Sequence, residues 1–397
     1  MGRTVNPKIL YLLPGGLFNP AGMERVITIK AGYLAEKLNY DVSIVTTEQM
    51  GRPVFYPLSG KVHLYHLDTG IYARFGKESY AEKVVSRFFK TLKYKRELTR
   101  LLPEIRPDIT VSTLGLDIGF LNSLKDGSIK LGELHFPGNF RSLTAGKLSG
   151  GSIPNWVAKL RTEELKRKCA QLKRLVVLTE EEKSFWENSR NIEIIPNPLP
   201  FYYETEAELT GKKALAAGRL VYEKGFDMLI EAWGIVAERH PGWELSIFGD
   251  GERKASLLRL IDEKGLSGAV KIHEPVADIQ HVYPEYSIFV FTSRYLDALP
   301  MVLLEAMSFG LPVAAFDAPC GPKDLIRDGV NGFLVKTGDI QGLACKIINL
   351  IEASGLRKSM GKASKAFSSD FRVEKIMGRW DKLFTELINE KNSSIGN

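Results

Sequence analysis

Short apolar runs alternate with amphipathic helical stretches along the whole chain, and few folds accommodate that alternation. In the first half the runs are Lys8–Leu13, Asp41–Thr46, Asp108–Ser112, Lys130–His135 and Arg174–Thr179. Helical stretches such as Met23–Leu38 and Ala81–Leu102 lie between them. In the second half the runs are Ala214–Ala217, Glu244–Phe248, Val270–His273, Ile288–Phe291 and Pro312–Phe316. Helical patterns such as Phe226, Leu229, Ile230 and Trp233 connect them. Strands that are apolar on both faces, with a helix after each, imply parallel sheets covered on both sides. The expected class is α/β: two Rossmann-like, doubly wound parallel-sheet domains facing across a cleft at the carboxyl ends of their strands.

A chain of 397 residues is long enough for two such domains. The break is expected at Ile195-Pro196-Asn197-Pro198-Leu199-Pro200, where closely spaced prolines continue neither strand nor helix. This gives residues 1–198 as one domain and 199–370 as a second. Residues 371–397 form a final amphipathic helix through Trp380 that packs back on the first domain. Cys169, Cys320 and Cys345 lie far apart without ligand-like spacing, which suggests a reducing compartment and no metal. The polar start Met-Gly-Arg-Thr reads as no signal peptide, and no apolar run is long enough to span a bilayer. A cytoplasmic protein is expected.

The net charge of +7 is uneven: residues 1–200 carry 30 basic and 20 acidic side chains, residues 201–397 carry 24 and 27. A basic first half suits a polyanion or an anionic membrane surface, and equally suits ordinary solubility. Within it, the helix from Lys83 to Arg100 interleaves Lys90, Lys93, Lys95 and Arg96 with Val84, Val85, Phe88, Phe89, Leu92 and Leu98. That pattern fits either a solvated face or contact with anionic headgroups. No nucleic-acid recognition motif is present, so no nucleic-acid partner is expected.

Several segments could carry chemistry. In Ala217-Gly218-Arg219-Leu220-Val221-Tyr222-Glu223-Lys224-Gly225-Phe226 a strand ends and a helix opens. Two cations beside a helix N-terminus make an anion site, although an arbitrary Arg/Lys pair is more often just solvated. The glycine-rich turn Pro14–Gly22 lacks dinucleotide spacing but could add N–H donors to the same anion. His135 ends a strand at the carboxyl edge of the first sheet, where structural and catalytic roles are equally open. Phe248-Gly249-Asp250-Gly251 has too few carboxylates for a metal loop and reads as a strand-to-helix turn. Finally, Asp297 and Glu305 stand eight positions apart around Pro300. Pro300 suits the first helical position, and Gly310 before Pro312 reads as the stop. Glu305 then sits in a nearly all-apolar helix, where a charge needs a partner such as a hydroxyl-rich ligand.

These segments together resemble the retaining nucleotide-sugar glycosyltransferases of family 4, which have the GT-B fold. The resemblance runs from Gly22-Met23-Glu24-Arg25-Val26, through Ile195–Pro198 and Gly218…Gly225, to Asp297…Glu305 and Asn331-Gly332-Phe333-Leu334-Val335. It implies that Arg219 and Lys224 hold the donor diphosphate and that Glu305 binds the ribose hydroxyls. Asp297 stands where the family has a glutamate that contacts the donor sugar. His135 would lie near the anomeric carbon, with Gly16, Gly22, Pro275, Leu299 and Met301 lining the donor. Asp297 is one methylene shorter than the family's glutamate, and Ala298-Leu299 replaces Gly-Phe. The implied activity is metal-independent, retaining hexosyl transfer from a nucleotide diphosphate sugar, with UDP expected as the nucleotide and no cofactor besides the donor substrate. The implied acceptor is a glycan or lipid-diphosphate-linked saccharide of surface polysaccharide assembly, lipopolysaccharide or capsule, with the enzyme peripheral on the inner membrane face. A nucleotide-sugar epimerase on the same fold and a non-catalytic sugar- or polyanion-binding protein are the alternatives.

Overall fold

The computed structural model describes residues 6–71, 80–138, 155–186, 190–276, 278–295, 298–319 and 321–395. Asp297 and Cys320, and the side chains of Lys83 and Val84, lie outside the described set.

The chain divides into two compact units. The first comprises residues 1–178, 183–200 and 373–397, the second residues 179–182 and 201–372. The change of unit after the proline-rich segment thus falls two residues beyond the expected one, because Leu199 is still buried.

In the first unit, Lys8–Leu13 (β1), Asp41–Thr46 (β2), Val62–His66 (β3), Ile109–Ser112 (β4), Ile129–Glu133 (β5), Arg174–Val177 (β6) and Ile192–Ile194 (β7) form one sheet. Its order is β3-β2-β1-β4-β5-β6-β7, and every pairing is parallel. Side chains alternate across each strand, and both faces are covered. Ile9, Tyr11 and Leu13 pack with Ile27, Ala31 and Leu34 of the helix Gly22–Glu36. The same cluster takes Ile376, Met377, Trp380, Leu383, Phe384 and Leu387 from the last helix, Val373–Ile395. Leu10 and Leu12 face the other way, onto Tyr94, Leu98 and Leu102 of the helix Tyr80–Ile105.

In the second unit, Lys213–Ala217 (β8), Glu244–Phe248 (β9), Val270–His273 (β10), Ile288–Phe291 (β11), Val313–Phe316 (β12) and Gly332–Val335 (β13) form a parallel sheet of order β10-β9-β8-β11-β12-β13. Leu229, Ile230, Trp233 and Val236, at helical spacing on Phe226–Arg239, pack against Leu245, Ile247 and Val290 of that sheet.

In each sheet the strand order reverses once, between β1 and β4 and between β8 and β11. Two helices leaving adjacent strands for opposite faces open a crevice at the carboxyl ends, where ligands of such sheets bind. β8 ends at Ala217 and leads into the Arg219 loop, and β11 ends at Phe291, just before Thr292. The candidate anion site therefore stands at the reversal point of the second sheet.

Some expectations shift. β5 stops at Glu133, so His135 lies beyond the strand's end. β3, β7 and β13 were not anticipated as strands. β3 is an edge strand with a mixed burial pattern, β7 has three residues, and β13 opens on glycine.

Candidate active site

The second unit builds its site from two loops clamped together. Gly225 caps the helix Phe226–Arg239 in the left-handed region, at φ 65°. A Cβ there would collide with the Thr292 carbonyl oxygen after β11, so only glycine allows the two loops this approach. Thr292 Oγ1 donates to the Lys224 carbonyl at 3.0 Å. Arg294 completes the clamp: its backbone N–H donates to Glu223 O at 2.7 Å, and its guanidinium donates to Tyr222 O at 2.6 Å. The same guanidinium makes a two-pronged pair with Asp227, at 2.9 and 2.7 Å, and lies 4.2 Å from the Tyr222 ring centroid. Arg253 adds a second cation 3.5 Å from Asp227. Half-burial alone would raise the Asp227 carboxyl, but Arg294 and Arg253 outweigh it and hold the pKa below the usual range. The β9 turn locks in as well, since Leu220 N donates to Asp250 O at 2.8 Å.

This scaffold matches the acid in the first turn of the helix with Arg294 and Arg253. The exposed guanidinium of Arg219 makes no ion pair among the described residues. Lys224 is partly buried, with Nζ 5.9 Å from the Phe291 ring centroid. A cation at the end of β8, a second five residues on, and a helix N-terminus between the two reversal strands can together hold a bulky anion.

Glu305 lies on the helix Met301–Ser308 and is 2% exposed. Pro300 is the residue before the first helical position rather than that position itself. The helix ends as expected at Gly310 (φ 76°), whose N–H donates to Met307 O while Leu311 N–H donates to Ala306 O. The buried carboxylate has a protein partner: Tyr283 Oη donates to Glu305 Oε2 at 3.0 Å. Tyr283 is itself fixed by stacking on Phe309 at 5.5 Å. A ligand hydroxyl is therefore an additional partner for Glu305, not the one on which its burial depends. Leu299 is buried, Met301 partly buried, and Pro275 exposed just after β10. Asp297 falls outside the described residues.

The first unit holds the remaining expected residues. Gly16 is buried in the turn after β1, where Leu17 N donates to Gln49 Oε1 at 2.9 Å, and Gly22 opens the next helix. His135 follows β5 and its side chain is 4% exposed. Its Nε2 lies 3.2 Å from Glu133 Oε1, bent away from a well-formed hydrogen bond. Glu133 in turn binds Lys30 Nζ at 2.6 Å through both oxygens. Burial alone would raise the Glu133 carboxyl, but the Lys30 ammonium and the His135 ring outweigh it and hold its pKa at about 2. Burial pulls Lys30 down to about 8 against the attraction of Glu133.

Arg294, Asp227, Thr292, Tyr283, Glu133 and Lys30 were not singled out from the sequence. Arg294 carried a signal, an arginine inside the segment leading to Glu305, but its partner Asp227 is 67 positions away. Among the described residues no three His, Cys, Asp or Glu side chains come together as a metal-binding set.

Residues 204–367 match the family model described as "Glycosyl transferases group 1". The amylovoran biosynthesis glycosyltransferase AmsD of Erwinia amylovora is 30% identical over 94% of this chain and 98% of its own length. The chain belongs to the group 1 glycosyl transferases. An exopolysaccharide phosphotransferase of Streptomyces coelicolor is 35% identical over 55% of this chain, but the match spans 24% of that protein. Among solved structures, the pneumococcal O-GlcNAc transferase GtfA in complex with UDP and GlcNAc superposes with a TM-score of 0.76 at 15% identity, over 96% of this chain and 99% of that one. The two parallel-sheet α/β units are those of the GT-B glycosyltransferases. The matched span of this group 1 member, residues 204–367, includes the β8 loop with Arg219 and Lys224.

Proposed function

We propose that the protein transfers a hexosyl group from a nucleotide diphosphate sugar, with UDP as the nucleotide, to a glycan or lipid-linked saccharide in surface polysaccharide biosynthesis. The observation that carries this reading is Arg219, an exposed guanidinium at the reversal point of the second sheet, beside Lys224 and a helix N-terminus. The names of the relatives support a polysaccharide product, and the ligands of the pneumococcal enzyme support UDP.

In the proposed step the bond between the sugar's anomeric carbon and the β-phosphate oxygen breaks while a bond to the acceptor oxygen forms. The acceptor's proton passes to a phosphate oxygen of the departing diphosphate. Attack on the leaving-group face retains configuration, the outcome that the resemblance to family 4 implies. Arg219 and Lys224 stabilise the charge growing on the diphosphate, so the step needs no divalent metal. Glu305 takes the ribose hydroxyls, His135 contacts the transferring sugar, and Asp297 takes the place of the family's sugar-binding glutamate. The donor is substrate, and no other cofactor is invoked.

A location at the inner membrane face is part of the proposal. On the helix Tyr80–Ile105, Val85, Phe88, Phe89 and Leu92 are exposed, Phe88 by 60% and Phe89 by 62%, with Arg87, Lys90 and Lys93 among them. Aromatic side chains with interspersed cations suit anionic headgroups. Among the described residues no helix is long and apolar enough to cross a membrane.

A screen of nucleotide diphosphate sugars by thermal shift tests the donor assignment, because a ligand that binds only the folded state stabilises it by mass action. A UDP-sugar should raise Tm in the wild type and fail to do so in Arg219→Ala. A shift given equally by both proteins would remove the site assignment.

A further inference from the structure

Beneath His135 lies a buried polar chain that the proposed reaction does not yet use. Leu134 N–H still donates to Val176 O of β6, so the backbone stays extended past β5 and Glu133 and His135 share one face of the sheet. On that face Lys30 comes from the helix Gly22–Glu36 and Trp380 from the last helix. Lys30 Nζ sits 3.6 Å from the Trp380 ring centroid and 5.4 Å from that of Tyr11. Lys30 and Glu133 are fully buried as side chains. A buried ion pair is poor value for stability alone, since apolar residues of like volume serve as well or better.

We propose that Glu133 is the positioning residue for His135 and that Lys30 holds the Glu133 carboxylate ionised and in place. This rests on the reading of His135 as a group that touches the transferring sugar. A carboxylate 3.2 Å from Nε2 favours the proton on that nitrogen electrostatically and restricts how the ring can turn. Nδ1, on the far side of the ring, is then the nitrogen presented to substrate: an acceptor in the neutral ring, a donor in the charged one. Trp380 anchors the ammonium from above, so the last helix helps to set the position of a side chain beyond β5.

Glu133→Gln alone would strand a buried ammonium, so the informative variant is Lys30→Met/Glu133→Leu, which removes both charges together. It should fold, shown by circular dichroism and cooperative melting. Loss of ring placement should lower kcat by about a hundredfold with the donor KM within about twofold, the size of effect expected when a reacting group is misplaced by roughly 1 Å. Wild-type kcat in the double variant, while His135→Ala is inactive, would overturn the positioning role and leave the proposed function intact. Full activity of His135→Ala would instead remove the role of His135 and this inference with it. The wild type offers a separate reading: imidazole 15N shifts, assigned by comparison with His135→Gln, should show the proton on Nε2 in the neutral ring. The Nδ1-protonated form would contradict the inference.

Discussion

Arg219 and Lys224 are five positions apart, yet the fold treats them differently: Arg219 is exposed, and Lys224 is tucked beside Phe291. If both face the departing diphosphate, replacing either by alanine removes one fixed positive group from the transition state. Each variant is expected to lose on the order of a hundredfold or more in turnover. Steady-state kinetics on folded protein checks this, and near-wild-type rates would dismiss the residue concerned. Tyr283→Phe deletes the hydroxyl that donates to Glu305 and leaves a buried carboxylate short of one donor. It should cost about 1–3 kcal/mol in urea unfolding. An unchanged midpoint would mean that the remaining partners of Glu305 suffice. The cations and Glu305 were readable in the sequence, because a charge next to glycines or inside an apolar helix stands out. Their supports were not: Arg294 meets Asp227, and Glu305 meets Tyr283, across separations that no local pattern encodes.

At the scale of elements, buried strands and amphipathic helices were legible because burial imposes a period on the sequence. The edge strand β3 escaped because one face meets solvent, β7 because it has three residues, and β13 because it opens on glycine. The last helix was legible from its apolar stripe, and Trp380 lies fully buried within the cluster that also holds Tyr11 and Phe384. Trp380→Ala should destabilise the first unit by about 3–5 kcal/mol, measured by chemical denaturation. A loss under about 1 kcal/mol would show that the helix is not part of that core. The Lys30–Glu133 pair, which joins helix to strand, gives a pH signature. Free glutamate titrates at 4.5 and Glu133 at about 2. Between those values the unfolded chain takes up a proton that the folded chain does not. The stability owed to the ionised carboxylate is therefore complete above pH 4.5 and lost as pH falls toward 2. The stability curve of Lys30→Met/Glu133→Leu should be flatter than the wild type's across that window. Parallel curves would show that Glu133 is not ionised as described.

For the whole molecule, two sheets that each reverse order once set the candidate loops at the carboxyl ends of their own strands. The order of the strands was not foreseeable from alternation; the parallel α/β class was. The charge imbalance was equally plain, but the exposed aromatics on Tyr80–Ile105 were not. The sequence pattern leaves that helix open between a solvated face and headgroup contact, and only the structure shows Phe88 and Phe89 exposed. Binding to vesicles containing anionic lipid should weaken steeply as salt rises, and Phe88→Asp/Phe89→Asp should abolish it while leaving turnover on a water-soluble acceptor intact. Salt-independent binding, or none, would remove the membrane claim without touching the transferase claim. The central claim is that the loop after β8 grips a nucleotide diphosphate, and calorimetric titration of UDP into the wild type and the Arg219→Ala/Lys224→Ala variant tests it most directly. The account predicts binding to the wild type that is weakened by about a hundredfold or more in the double variant, since each charge-assisted contact contributes roughly 1.5–3 kcal/mol. Equal affinity in two equally folded proteins would contradict it.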